Sequence, residues 1–312
     1  MDKTVPNSHN INSRILSRQR GVSLVELMVA LLLGLFLLFA LVEILINGKQ
    51  SFSSASHMSR LQENGRIATN LVVTDLKRAG YMGGNSNQDK ITGSAGQVAG
   101  AATCPTGNTN WGRMVTWGIS GLDDTNAGYA CIPNGTYLRG DVLTIRYAAP
   151  WEASTISANK IYLRSSLFEG KIFQGSAEGT PANDVEDEPN SVRELMAYSY
   201  FVGNSGRTCG GQAVPSLFRV SLDDSSQPEV QELLPGIEHF QVQYAVAGQY
   251  VDADDVANWD NVVTARIWLL VRAECTETGF IDDSTYVLGN QEYTPNDNYR
   301  RQLYSSVVML RN

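Results

Sequence analysis

Histidine is scarce in this chain of 312 residues: His9, His57 and His239 are the only three. No G-x-S-x-G elbow, H-E-x-x-H helix, phosphate loop or G-x-G-x-x-G is present, so the usual signatures of hydrolases, zinc proteases and nucleotide enzymes are missing. A Ser-His-Asp arrangement would have to recruit His239, with Ser205 in Gly203-Asn204-Ser205-Gly206 as nucleophile; Ser205 reads better as a turn residue near Cys209, and His239 as an ordinary strand-edge residue. No cofactor is implied and no enzyme activity is expected. A basic surplus is also lacking: 24 Lys and Arg stand against 32 Asp and Glu, a net charge of −8, and the basic residues are scattered, which argues against a nucleic-acid partner. None of the four cysteines forms a CxxC pair, so zinc-ligand spacing is absent and no metal site is expected. No proline lies between Pro6 and Pro105, so nothing interrupts a long N-terminal helix. No period of 20–50 residues repeats.

What the sequence does have is one long apolar run. From Val22 to Ile46 the only charged residues are Glu26 and Glu43. As a helix this stretch is about 37 Å long, enough to cross a hydrocarbon core of about 30 Å with some tilt. Arg14, Arg18 and Arg20 precede it, and no acid intervenes after Asp2. The positive-inside rule therefore keeps the N-terminus cytoplasmic and exports everything after Ile46. A cleaved secretory signal has a shorter apolar core followed by small residues, unlike Asn47-Gly48-Lys49-Gln50 here. An uncleaved signal anchor explains the basic flank and the apolar run but not Glu26. A carboxylate in a membrane helix costs up to ~2.5–3.5 kcal/mol at the bilayer centre, less near the interface, and such a residue usually has a partner.

Gly21-Val22-Ser23-Leu24-Val25-Glu26-Leu27 resembles the class III signal of type IV prepilins and pseudopilins. The resemblance implies that a dedicated membrane prepilin peptidase cuts after Gly21 and methylates the new amine of Val22, and that Glu26 is the acid at the fifth mature position. Valine and serine stand at 22 and 23, where the family most often has phenylalanine and threonine; the cut should depend far more on Gly21. Cleavage creates an amine at Val22 with an unperturbed pKa near ~8, one helical turn from Glu26. Between chains, Glu26 of one subunit could set the axial register against the Val22 amine of its neighbour.

The helix is expected to continue to about Ala79. Leu61, Gly65, Ala68, Val72, Leu76 and Ala79 recur at spacings of three and four as one apolar stripe, with Gln62, Glu63, Arg66, Asn70, Asp75 and Lys77 mostly off it. Two helices with a bend near Asn47-Gly48 are the alternative. Asp75-Leu76-Lys77-Arg78-Ala79-Gly80-Tyr81-Met82-Gly83 is similar to the helix end of PilW-type minor pilins, and less closely to J-type pseudopilins of type II secretion; lysine replaces the usual first arginine. Beyond Gly84, residues 85–103 read as a surface loop. Alternation then marks strands: Leu143, Ile145 and Tyr147; Phe218, Val220 and Leu222; Phe240, Val242, Tyr244 and Val246; Ala265, Ile267, Leu269 and Val271; and a last strand from Leu303 to Leu310. The polar insertions 174–190 and 247–261 read as long exposed loops. Three C-terminal features strengthen the PilW likeness: Leu234-Pro235-Gly236-Ile237-Glu238, Arg266-Ile267-Trp268-Leu269-Leu270-Val271-Arg272, and Arg300-Arg301 before the last strand.

The expected fold is α+β: a long N-terminal helix, half transmembrane and half amphipathic, packed on a mostly antiparallel β-sheet domain, pilin-like. Residues 1–21 form a cleaved basic leader, 22–46 the transmembrane half, 47–81 the amphipathic half and 82–312 the exported domain. An oxidising compartment suits two disulfides. Order favours Cys104–Cys131 and Cys209–Cys275, although four cysteines allow three pairings and buried free thiols are the alternative. The acidic clusters Glu186-Asp187-Glu188 and Asp252-Ala253-Asp254-Asp255 offer oxygen donors of the type calcium takes but lack the EF-hand spacing, and solvated loops are the better reading. The leader holds four basic residues and one acid, so its loss takes the charge from −8 to −11.

The resemblance implies a minor type IV pilin held in the bacterial inner membrane, its domain periplasmic, and later at the cell surface in a pilus. It implies as partners the prepilin peptidase, other minor and major pilins, the inner-membrane pilus assembly machinery and membrane lipid, and a tip-proximal or priming role. A type II secretion pseudopilin is one alternative. A pilus-borne adhesin is another, requiring Trp111, Trp117 and Trp259 to share one exposed patch on loops 85–130 or 247–261.

Overall fold

The computed structural model describes residues 21–93, 104, 110–175 and 190–310. Residues 1–20 of the leader, 94–103, 105–109, 176–189 (with Glu186, Asp187 and Glu188) and 311–312 lie outside the described residues. The chain divides into two units between Ser53 and Ser54.

One α-helix, α1, runs from Leu24 to Leu76 and contributes to both units. Its residues up to Ser53 are almost all aliphatic or aromatic as far as Ile46, and nearly every side chain there is exposed. In the second unit Leu61, Gly65, Ala68, Val72 and Leu76 are buried. Their spacing of three and four puts them on one helical face. Asp75 is buried with them, against the expectation that it sits off the stripe. The helix ends three residues before the expected Ala79, because its last turn tightens: Arg78 N donates to Asp75 O at 2.9 Å and Ala79 N to Leu76 O at 3.1 Å. Gly80 then takes φ 76°, a left-handed conformation that glycine adopts without a Cβ clash, and its N–H donates to Arg146 O at 3.0 Å.

The strands are β1 (Ile91–Thr92), β2 (Ile119–Leu122), β3 (Tyr137–Ala148), β4 (Ile161–Ser165), β5 (Gly170–Gln174), β6 (Ser191–Cys209), β7 (Gln212–Leu222) and β8 (Pro228–Pro235), followed by β9 (Ile237–Val246), β10 (Gln249–Val251), β11 (Val262–Arg272), β12 (Tyr286–Leu288), β13 (Gln291–Tyr293) and β14 (Arg301–Met309). A four-residue helix, α2 (Asn110–Arg113), precedes β2. Among the described residues, β1 to β8 make one sheet, in the order β1-β5-β4-β6-β3-β2 with β7 and β8 continuing from β6, and β10-β9-β11-β14 make a second. Only β1 and β5 pair in parallel; the other pairs are antiparallel, as runs of strands without intervening helices require.

Alternation gave β9, β11 and β14 close to their observed limits, because each has one face on the core. Part of the expected loop 85–103 is ordered structure: β1 pairs with β5, and Ile91 is buried. The 247–261 insertion is not an exposed loop. Ala253, Val256 and Trp259 are buried in it because its three apolar side chains join the main core. That core gathers the α1 stripe, Leu143, Ile145, Tyr147, Tyr200 and Val202 of the first sheet, and Phe240, Val242, Tyr244, Ile267 and Leu269 of the second. Each fully buried aliphatic side chain contributes about 1.5–3 kcal/mol.

Gly65 brings α1 close to β14. A Cβ there would overlap the ring of Tyr304, and the Tyr304 hydroxyl donates to Leu61 O at 3.4 Å. The structure holds two disulfides, Cys104–Cys131 and Cys209–Cys275, the pairing that follows cysteine order. The second joins the end of β6 to the segment leaving β11, closing a separation of 66 residues.

Candidate functional site

The N-terminal end of α1 presents the residues of the expected signal. Gly21, Val22 and Ser23 precede the helix, and Leu27 N donates to Ser23 O at 3.1 Å, closing its first turn. Glu26 lies in that first turn, where a carboxylate is favoured by the helix dipole. Val22 is 67% exposed, and Leu24, Val25 and Leu27 are exposed beside it. α1 contains a stretch long and apolar enough to cross a membrane, none of it buried in the protein. An aliphatic helix with no protein around it needs lipid or other apolar helices.

At the other end of α1 the domain grips the helix through Asp75. Its carboxylate accepts from the Tyr147 hydroxyl at 2.9 Å and the Tyr200 hydroxyl at 2.5 Å, and Arg78 approaches at 3.7 Å. Tyr147 lies in β3 and Tyr200 in β6, so two neighbouring strands hold one helical side chain. Burial, then the charge of Asp75, pushes both phenols above their ordinary pKa, so both stay protonated and donate. The acid at this helix end is thus a hydrogen-bonded anchor between α1 and the first sheet.

The three C-terminal motifs converge on a second buried cluster. Glu238 follows the Leu234-Pro235-Gly236-Ile237 turn, Arg272 closes β11, and Arg301 opens β14. Arg301 Nε donates to Glu238 Oε2 at 2.5 Å and Nη2 to Glu238 Oε1 at 3.1 Å. Its Nη1 and Nη2 also donate to the two Asp297 oxygens, at 2.6 and 2.7 Å, and Nη1 reaches Asp282 Oδ2 at 3.3 Å. Arg272 Nη1 lies 3.4 Å from Glu238 Oε1, and its guanidinium stacks 3.9 Å from the Tyr299 ring centre. Burial works to lower the Arg301 pKa, but Asp297 and Glu238 outweigh it and hold it above its ordinary value. Gly236 has φ 80°, and a Cβ there would meet Arg272 O at 2.6 Å, so the turn needs glycine. Next to this cluster Arg300 donates to both oxygens of Glu277, at 2.5 and 3.0 Å. Sequence reasoning missed this cluster; the available signal was Glu238 and Arg301 sitting in runs otherwise bound for the core.

The remaining candidates take structural places. Ser205 is not a turn residue but part of β6, where the register with β7 shifts between Asn204 and Thr208; its hydroxyl donates to Val214 O at 2.8 Å. His239 lies inside β9, opposite Leu270 of β11, and is 6% exposed, so it is a buried strand residue and not a solvated edge one. Burial, with Arg139 beside it, pulls its pKa down. No hydrogen bond joins His239 to Ser205 in the structure. Asp252 accepts from Gln243 Nε2 at 3.0 Å and Asn290 Nδ2 at 2.6 Å, which ties its loop to β9 and to the β12–β13 turn. Among the described residues no group of three or more His, Cys, Asp or Glu side chains is arranged to hold a metal ion. The tryptophans required of an adhesin patch do not form one: Trp111 and Trp259 are buried, and Trp117 packs 6.5 Å from Trp259.

Two family models match the chain. Residues 16–42 match the prokaryotic N-terminal methylation motif, and residues 199–312 match the type IV pilus-assembly protein W family. No curated protein and no solved structure matches the chain. The second match spans β7 to β14 and contains the Glu238–Arg272–Arg301 cluster, while the first contains Gly21, Val22 and Glu26. With the methylation motif at the head of an apolar helix and the pilus-assembly protein W match in the C-terminal strands, the two matches support a prepilin of the PilW type.

Proposed function

We propose that this chain is a minor type IV pilin which, after processing, joins other pilins in a tip-proximal or priming complex. Prepilin peptidase cuts after Gly21 and methylates Val22; the mature α1 stays in inner-membrane lipid until assembly, with the domain in the periplasm. Two disulfides support an exported domain, since such bonds persist in oxidising compartments. On assembly, lateral packing of apolar helices replaces lipid contacts around residues 24–46. The Val22 amine of one subunit then meets Glu26 of another, a pair that water does not screen.

The observation that carries this reading is the register at the head of α1: glycine, then an acid five residues on, then an uninterrupted apolar face with no protein packed against it. The domain has no need of that stretch, and the cost of an unpaired Glu26 in lipid supplies the reason for a partner. Immunogold labelling of sheared fibres with an antibody to the domain tests the placement. Label at one fibre end supports a tip position; label spaced along the shaft contradicts it.

A further inference from the structure

Arg146 lies near the end of β3, 1% exposed, and among the described residues no carboxylate is paired with it. Its Nε donates to Trp111 O at 3.2 Å, and its guanidinium lies 5.6 Å from the centre of the Trp111 ring. Neither terminal amino group, Nη1 or Nη2, has a hydrogen-bond partner. The same face of the sheet carries Ser120, which stands opposite Thr144 in the register of β2 and β3. The Ser120 hydroxyl and the Trp111 indole N–H are likewise buried without partners. Every one of these groups can donate a hydrogen bond, and Arg146 and Trp111 can only donate. The nearby acceptors are already engaged: Thr144 Oγ1 bonds Ser199 Oγ at 2.6 Å and also the Tyr129 hydroxyl.

A buried guanidinium with idle N–H groups is costly twice over, once for the desolvated charge and once for the unmade hydrogen bonds. Burial pulls the Arg146 pKa down to about 10, and the one group that opposes this is the Tyr129 phenol, so Arg146 is still a cation at neutral pH. Asp75, Asp141 and Glu238 are committed to other donors. Among the described residues the layer therefore carries a positive charge and spare donors, its hydroxyls bonded to one another and no carboxylate paired with Arg146. Water would satisfy the N–H groups but leave the charge uncompensated; a monatomic anion does both.

We propose that Arg146 and Trp111 form a buried binding site for a small inorganic anion of halide size, between β3 and α2. The anion would accept from Arg146 Nη1 and Nη2, with the Trp111 indole and the Ser120 hydroxyl as further donors in the same layer. This site is independent of the assembly role of α1, and its function is to complete the domain core.

The test uses the full-length protein in detergent. Thermal unfolding is followed at constant ionic strength while sodium gluconate is replaced by sodium chloride or sodium bromide. A ligand bound only by the folded state raises Tm with its concentration, and a rise of about 3–6 °C is expected. The Arg146→Met protein, which keeps the buried length without the charge, should give the same Tm in all three salts. Crystals grown in bromide should show anomalous density within about 3.5 Å of the Arg146 amino groups, as an N–H to bromide contact requires. If the Met variant does not fold, the bromide density in the wild-type protein decides alone. Equal wild-type Tm in the three salts, or water without anomalous signal beside Arg146, would overturn the proposal.

Discussion

Arg301 is in the core with its side chain closed off from solvent and with Glu238, Asp282 and Asp297 around it. Removing one partner from such a cluster leaves the others desolvated and unpaired, which typically costs 3–5 kcal/mol. Arg301→Ala should therefore lose about 3–5 kcal/mol of stability in urea unfolding, while the exposed Arg66, paired only with Glu63 on the helix surface, should cost under about 1 kcal/mol when replaced. The Asp75 anchor makes a pH prediction. Unfolded tyrosines ionise near ~10, but Tyr147 and Tyr200 are held above that by burial and by Asp75. Above ~10 the unfolded chain binds fewer protons than the folded one, so the stabilisation is full below that pH and falls as pH rises further. In a Tyr147→Phe, Tyr200→Phe protein the loss of stability between pH 9 and 11 should be shallower than in the wild type, as read by chemical denaturation at each pH. Neither anchor was legible in sequence, because both depend on residues more than 60 positions apart: 72 and 125 from Asp75 to its tyrosines, 63 from Glu238 to Arg301. An acid placed next to an apolar stripe is ambiguous until its donors are known.

At the scale of elements, α1 was legible to within three residues of its end, since its first half is apolar on all sides and its second half repeats every three or four residues. β9 and β11 were legible because apolar and polar side chains alternate along them or because one face is wholly aliphatic, even though both faces are largely buried. β6 was not: its 19 residues pair with β4, β3 and β7 in turn, and a bulge after Asn204 breaks the period of two. β1 and the packed loop after β10 were missed because their apolar residues are too few to show a period. The approach of α1 to β14 rests on Gly65. Alanine is intrinsically the better helix residue by ~1 kcal/mol, yet Gly65→Ala should lower stability by about 1–3 kcal/mol, because the added methyl must displace the Tyr304 ring. Thermal unfolding of that single variant would show it; a gain in Tm would contradict the packing. The Cys209–Cys275 bond restrains a longer stretch than Cys104–Cys131, so replacing both Cys209 and Cys275 by serine should be the more damaging change, ~4 kcal/mol in the chain-entropy account.

At the scale of the whole molecule, the two matched segments lie at opposite ends of the chain and correspond to two different physical tasks. The apolar helix leaves nearly all its side chains exposed up to Ile46, and the domain builds its core between its two sheets. Glu26 is the acid at the head of the apolar helix, and its burial in lipid or among helices calls for a specific partner. A Glu26→Gln chain should still insert and fold, but its recovery in sheared fibres should fall at least tenfold, the scale of losing about 1.4 kcal/mol of pairing. The central claim is that Val22 becomes the N-terminus. The measurement that addresses it is the intact mass and N-terminal peptide of the chain produced beside its own prepilin peptidase. The account requires a chain that begins at N-methylated Val22; a chain that still begins at Met1 would leave a plain signal anchor and remove the basis of the Glu26 pairing.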